Sequence, residues 1–319
     1  MSPGWQETLA FTITATTSYE SAAALLNKLG HVADDASLHA LAQSLGARAE
    51  QQVQQRLQQL PQEQAPERAE SQLAVLMLDG WQVRQRGTGW GKQKAAQPHV
   101  EWHELKTGVF YLQEHAAHKN DRGMLSQKAV VSWQGEPMEL GRRLHREGCE
   151  RGLGRARHRL IVADGAPWIW NVAQDRWRGG VEVLDFYHAS QHLWDLGEAA
   201  QGSRELARGW VERKLHQLRH GRHAAALRDI AALAKGSGPA AEVIRREQNY
   251  FAEHTPRMNY RAIAERGWPI GSGAVESACL QRQGRFKRSG QFWTARGLAN
   301  LCALIEARQN DHWDELGNS

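Results

Sequence analysis

Two apolar segments, Leu73–Leu78 (LAVLML) and Arg159–Ala163 (RLIVA), run into the same dipeptide, Asp79-Gly80 and Asp164-Gly165. A short continuous apolar run closed by a turn signal reads as a strand buried on both faces. Such strands need helices on either side, and the segments around them supply the pattern. His99–Leu112 (HVEWHELKTGVFYL) reads as a hairpin around Thr107-Gly108, Lys128–Trp133 as a third strand, and Val181–Leu184 as a strand ending at Asp185. Met138–Gly148, with Leu140 and Leu144 inward, and Ala166–Arg176 read as helices. The order β-β-β-α-β-α-β predicts an α/β fold with a mixed sheet flanked by helices, with ligands beyond the strand ends.

From Ala189 to Arg266 the pattern is helical throughout, with Arg204–Gly221, Ala224–Ala234 and Ala240–Glu253 as helices and Gly236-Ser237-Gly238-Pro239 as punctuation. The turn Trp268-Pro269-Ile270-Gly271-Ser272-Gly273 then opens a helix carrying Glu276. An all-helical insertion (189–267) therefore divides a core formed by 72–188 and 268–314. Ahead of the core, residues 1–50 form a small helical segment. Within it, Tyr19, Ala22, Ala23, Leu26 and Leu29, then Leu38, Leu41 and Leu45, give two helices ending at Gly46 around a break at Gly30-His31, as in a helix-turn-helix. Residues 51–71 are Gln/Glu-rich with Val53, Leu57 and Leu60 as a thin stripe. They read as an exposed helix stopping before Pro61 and a polar linker.

Charge is unevenly spread. Residues 1–72 hold Lys28, Arg48, Arg56 and Arg68 against eight acidic residues, so the remainder carries more than the whole net charge of +5. A basic body invites a polyanion, or is the surface of an ordinary enzyme of high pI. Three cysteines, Cys149, Cys279 and Cys302, form no CxxC, which excludes a disulfide framework and a cysteine zinc knuckle and points to a reducing cytoplasm. The absence of a long apolar run or a signal-peptide pattern predicts no membrane association.

Asp79, Asp164 and Glu276 stand out as acidic residues at two strand ends and on a helix after a Gly/Ser-rich turn. A lone Asp at a strand end is usually a turn or cap residue. Three that converge make an oxygen-rich site for Mg2+ or Mn2+, and a pair of such ions serves phosphodiester displacement. The runs LMLDGW, VADGAPWIWN, VLDFYHASQHLW and PIGSGAVESACLQRQGRFKRSGQFWTARG closely resemble the DDE transposases of bacterial insertion sequences, nearest to the Kra-type family and more distantly Mutator-like transposases. The resemblance covers residues 72–314 and, more faintly, 18–49. It implies an RNase H-like catalytic fold with a helical insertion between the second Asp and the Glu. It further implies Asp79, Asp164 and Glu276 as catalytic and metal-holding residues with two Mg2+ (or Mn2+) ions, DNA cleavage and strand transfer, homo-oligomers on transposon-end and target DNA, and a place in the bacterial cytoplasm at the nucleoid.

Asp185 and His188 resemble the Asp-x-x-His signature of the Mutator-like relatives. His188 and His192 share a helix face, and an orienting role is favoured over metal binding because no third ligand is evident. After Glu276, Arg282, Arg285, Lys287 and Arg288 form a basic cluster placed to neutralise phosphates. Phe292 and Trp293 either stack on an unpaired base or, as favoured, pack the helix onto the sheet. The Arg-rich stretch Arg142–Arg159 is a solvated face or a DNA contact. Family members usually carry further N-terminal DNA-binding sequence. This leaves a non-catalytic DNA-binding or regulatory remnant as the alternative, and an RNase H-like nuclease without strand transfer as a third reading.

Overall fold

The computed structural model describes residues 3–59, 71–91, 99–119, 122–233 and 237–317. Most of the expected polar linker, 60–70, and part of the Gly236-Ser237 punctuation lie outside the described residues. Three helices open the chain: α1 (Pro3–Ala15), α2 (Tyr19–Lys28) and α3 (Asp35–Gln58). Ser18 and Asp34 cap α2 and α3, each side chain accepting a first-turn backbone N–H. Two features depart from the pattern. α1 carries little periodic signal; the hydroxyls of Thr12, Thr14 and Thr16 bond back to carbonyls of its own turns. α3 does not stop at Gly46. A Cβ there would lie 2.0 Å from the Asn300 carbonyl oxygen, so this glycine marks a close helix crossing rather than a break. Leu38, Ala42, Leu45, Ala49 and Leu57 of α3 are buried, so the second helix of the expected helix-turn-helix packs into the body.

The sheet is built from β1 (Ser71–Arg86), β2 (Val100–Leu112), β5 (Ala129–Trp133), β6 (Ala156–Ala163) and β7 (Val181–Leu184), with a separate small hairpin of β3 (Ala116–Lys119) and β4 (Arg122–Leu125). Its order is β5-β2-β1-β6-β7. β6 runs parallel to β1 and β7 parallel to β6; β1–β2 and β2–β5 are antiparallel. The hairpin expected at Thr107-Gly108 does not form. Thr107 is fully buried and pairs with Asp79 on one side and Ser132 on the other, which keeps β2 extended. The turn joins β1 to β2 instead. For the same reason β1 runs on past Asp79 to Arg86, while its parallel neighbour β6 ends at Ala163.

Alternation along β1 sends Leu73, Val75 and Met77 to one core and Leu76 and Leu78 to another. The second core is closed by α4 (Pro137–Glu150), through Leu140 and Leu144, and by α5 (Pro167–Arg176), through Ile169 and Val172. The first is closed by the insertion helices α6 (Phe186–Gln201), α7 (Arg204–Arg219), α8 (His223–Ala231), α9 (Pro239–His254) and α10 (Tyr260–Ala264), and by α11 (Gly273–Phe286) and α12 (Ala295–Gln309); α13 (Trp313–Gly317) ends the described chain. The helical insertion thus sits where the sequence pattern puts it. In the Arg142–Arg159 stretch, carboxylates take up the arginines of α4: Arg143 pairs with Glu50 and Glu139, Arg146 with Glu150, and Arg151 with Glu147. Much of the stretch fastens α4 to α3 and to itself. Among the described residues no helix is long and apolar enough to cross a membrane.

The α3–α12 crossing makes a direct prediction. Gly46→Ala forces a methyl into the Asn300 backbone and costs about 1–3 kcal/mol. The urea midpoint should fall with an unchanged slope; an unaltered midpoint would mean that the helices do not meet at Gly46.

Candidate active site

The parallel pairing of β1 with β6 ends at Leu78 opposite Ala163, so the next residue on each strand is an aspartate. The Asp79 carboxyl is pushed above the ordinary carboxylate value, first by burial and then by the negative charge of Asp164. The Gly80 N–H, which donates to Asp79 Oδ1 at 2.7 Å, the Cys279 side chain and the charge of His188 pull the other way without cancelling the rise. Asp164 Oδ1 accepts the Ala166 N–H at 3.0 Å. Gly165 follows with φ of +107°, and a Cβ there would lie 2.8 Å from the His254 ring, so this turn is closed to other residues.

β7 brings a third aspartate to the same edge. The Asp185 N–H donates to the Ala163 carbonyl at 2.7 Å, extending the β6–β7 ladder by one bond. Asp185 is fully buried. Its Oδ1 accepts the His188 N–H at 2.8 Å, capping α6, and its Oδ2 accepts the Ser272 N–H. One carboxylate therefore ties the start of the insertion to the turn after it. The Phe186 N–H donation to the Ile270 carbonyl at 2.9 Å repeats the tie. That turn starts α11, which carries Glu276 in its first turn, and the Ser272 hydroxyl donates to Glu276 Oε1 at 3.0 Å.

Ligating atoms of Asp185, His188 and Glu276 all lie within 4.8 Å of one another. Glu276 therefore groups with the two residues of the Asp-x-x-His run, whereas Asp79 and Asp164, which act on each other electrostatically, are not part of that group. His188 belongs to that group and acts electrostatically on Asp79, so it links the two halves. The third ligand that His188 lacked in sequence is Glu276, supplied from across the insertion. His192 takes a different part: its Nδ1 meets Glu247 at 2.6 Å and its ring stacks on Tyr250 at 3.7 Å between centroids. The donor set of carboxylate oxygens with one imidazole fits a divalent cation of the Mg2+ or Mn2+ type. The raised Asp79 carboxyl fits as well, because a bound cation would offset both the burial that chiefly raises it and the added repulsion from Asp164.

The basic cluster divides. Arg282 is 3% exposed and faces Glu306, with 3.8 Å between Nη2 and the carboxylate. This corrects its expected phosphate contact, since the side chain sits inside the protein. Burial pushes Glu306 up to about 7 despite the Arg282 charge, and the Ser132 N–H donates to it at 2.6 Å. Arg285, 5% exposed, lies over the rings of Tyr19 and Trp293 and donates to the Thr17 carbonyl. It can be reached only along a cleft, not on an open face. Trp293 is a packing residue: it is buried, and its indole N–H donates to the Phe286 carbonyl at 2.9 Å. That corrects its assignment to DNA and matches the favoured packing role. Lys287 is half-buried and Arg288 exposed.

Several residues of the site carry no motif of their own. The Tyr250 hydroxyl donates to the Asp164 carbonyl at 2.9 Å, reaching the sheet edge from α9. Glu247 is buried; burial alone would raise its carboxyl, but hydrogen bonds from His192 and Arg246 outweigh it and hold the group below its usual value. The i, i+4 histidine pair is the sequence signal that leads to this contact, through His192.

The sign of the Asp79 shift sets a pH dependence. With the folded value above the unfolded one, this group's contribution to stability is full below about pH 4 and is lost as pH rises through the folded value. In EDTA, Asp79→Asn should therefore raise the melting temperature at pH 7, with the gain shrinking towards pH 4. Identical melting of variant and parent at pH 7 would remove the electrostatic strain assigned here.

No protein-family model matches the chain, and no curated protein is significantly similar to it.

Proposed function

We propose that the chain is a DDE transposase that cuts DNA and joins the freed end to a target. The observation that supports this reading is the grouping of Asp185, His188 and Glu276 at the edge where β6 ends, with Asp79 and Asp164 following the paired ends of β1 and β6 at that edge. The α/β core with its mixed five-stranded sheet and helical insertion is compatible with an RNase H-like fold. Asp79, Asp164 and Glu276 would hold two Mg2+ or Mn2+ ions, with Asp185 and His188 against them. A divalent ion bound there supplies polarisation of the phosphoryl group and activation of the attacking oxygen.

The chain's own groups set the geometry. Ser272 and Asp185 orient Glu276, and the Tyr250 contact orients the Asp164 turn. Lys287 and Arg288 lie towards the surface beyond α11, where phosphates of a bound duplex can reach them. In the first reaction water attacks a phosphodiester at the element's end, the bond to the 3′ oxygen breaks, and a 3′-OH is freed. In the second, that hydroxyl attacks a target phosphodiester and displaces its 3′ oxygen. The same reading has the protein act as a homo-oligomer on transposon-end and target DNA in the bacterial cytoplasm, at the nucleoid.

Asp79→Asn, Asp164→Asn and Glu276→Gln should each lower Mg2+-dependent strand cleavage by about a thousandfold or more, with an unchanged circular dichroism spectrum. Cleavage surviving in any one of them removes that residue from the chemistry. Cleavage by the parent without joined products would favour a nuclease.

A further inference from the structure

The far end of the β1–β2 ladder carries rings and guanidinium groups that the carboxylate site does not use. Val83 and Gln85 turn inwards and are buried, so Arg84 and Arg86 leave β1 on its other face. Trp102 stands across from Arg84 on β2. The segment after α11 closes the side: the Trp293 N–H donates to the Arg84 carbonyl and the Arg86 N–H to the Trp293 carbonyl, which seats Phe292 next to them.

The spacings form an unbroken ladder. The Arg84 guanidinium carbon lies 6.0 Å from the Trp102 ring centroid and 5.1 Å from that of Phe292. Phe292 lies 4.8 Å from Trp90, and the Arg86 guanidinium carbon 5.7 Å from Trp90. Trp102 is 57% exposed and Arg86 is exposed. Glu104 pairs with Lys106 at 2.8 Å and Glu101 with His99 and His103, while Glu20 and Asp35 line the cleft beside the ladder. A cleft of about 550 Å³ opens beside the ladder, lined by Arg86, Phe292 and Arg285 among others. The Arg285 guanidinium is buried, donates through Nη1 to the Thr17 carbonyl and interacts with the Tyr19 hydroxyl.

The chemistry selects the occupant. An exposed ring, Trp102, set among cations with half-buried Phe292 and Trp90 alongside, marks a binding surface. A duplex hides the faces of its bases and presents phosphates, so it gains nothing from the rings. An unpaired strand presents both: base faces for Trp102, Phe292 and Trp90, and phosphates for the arginines. We propose that this ladder binds a single-stranded nucleic acid segment, with its bases on the rings and its backbone phosphates against Arg84 and Arg86. The proposal adds a second site to the DNA-processing reading, and its test does not depend on that reading.

The test is a titration of the full chain in EDTA, at several salt concentrations, against a fluorescein-labelled oligodeoxythymidine of about 12 nucleotides and a duplex of equal length, followed by anisotropy. Trp102→Ala should weaken strand binding about tenfold or more, Trp102→Phe should retain most of it, and duplex affinity should change less than about twofold. Arg84→Gln should make the strand's salt slope shallower by roughly 0.7. The proposal is overturned if the parent chain binds no single strand, if Trp102→Ala binds it like the parent, or if strand and duplex lose affinity equally. With metal chelated, cleavage plays no part in the readout. A chain that never cuts DNA but shows the Trp102 effect keeps the ladder and loses the transposase reading; a chain that cuts without the effect does the reverse.

Discussion

The buried carboxylate of Asp185 is the joint on which the site's geometry depends. Its two oxygens accept backbone N–H groups from two distant residues, His188 at the start of α6 and Ser272, 87 positions beyond Asp185, at the end of the insertion. Hydrogen bonds to a charged acceptor contribute about 1.5–3 kcal/mol each, whereas an unpaired buried carboxylate costs several. The balance strongly favours the arrangement in which both ends of the insertion meet at one point. Once they meet, Glu276 has no freedom to wander, since it follows Ser272 by a single helical turn and accepts its hydroxyl. A chain segment as long as the whole helical insertion can thus be spliced into the core without loosening the site.

The insertion also acts on the sheet edge from the other side. α9 sends Tyr250 to the Asp164 carbonyl, and Tyr250 is itself clamped by the stacked ring of His192, which buried Glu247 anchors. The relay runs from a buried carboxylate through an imidazole and a phenol to the backbone of a catalytic candidate. His254 supports the same turn by packing against Gly165; burial holds its imidazole below the usual value, which favours the neutral ring. Tyr250, His192, Glu247 and His254 of the insertion thus act together on the turn that carries Asp164.

Residues whose environment is local were readable from sequence, and those defined by distant partners were not. The apolar runs into Asp79 and Asp164, the helical stretch after Ala189 and the turn before Glu276 are local patterns, and each sits where the pattern puts it. Thr107-Gly108 and Gly46 look like turn and stop signals, but strands on both sides override the first and a helix crossing uses the second. The side chains of Arg282 and Arg285 look like a phosphate-binding cluster. Only the packing of α11 under Tyr19 and against Glu306 shows that they point inwards. Asp185 and His188 were visible as a motif, but the partner that completes their group lies across the insertion.

β1 and α11 give the molecule a fixed internal distance. β1 passes the carboxylate edge at Asp79 and runs on to the aromatic ladder, while α11 carries Glu276 in its first turn and is followed by Trp293, which bonds to the backbone of Arg84 and Arg86. From Asp79 to Arg86 is seven residues of strand, about 23 Å at roughly 3.3 Å per residue. From Glu276 to the end of α11 at Phe286 is about 15 Å at 1.5 Å per residue. The two elements pack together through Trp81 and Phe286, and backbone hydrogen bonds of Trp293 fasten the segment after α11 to β1.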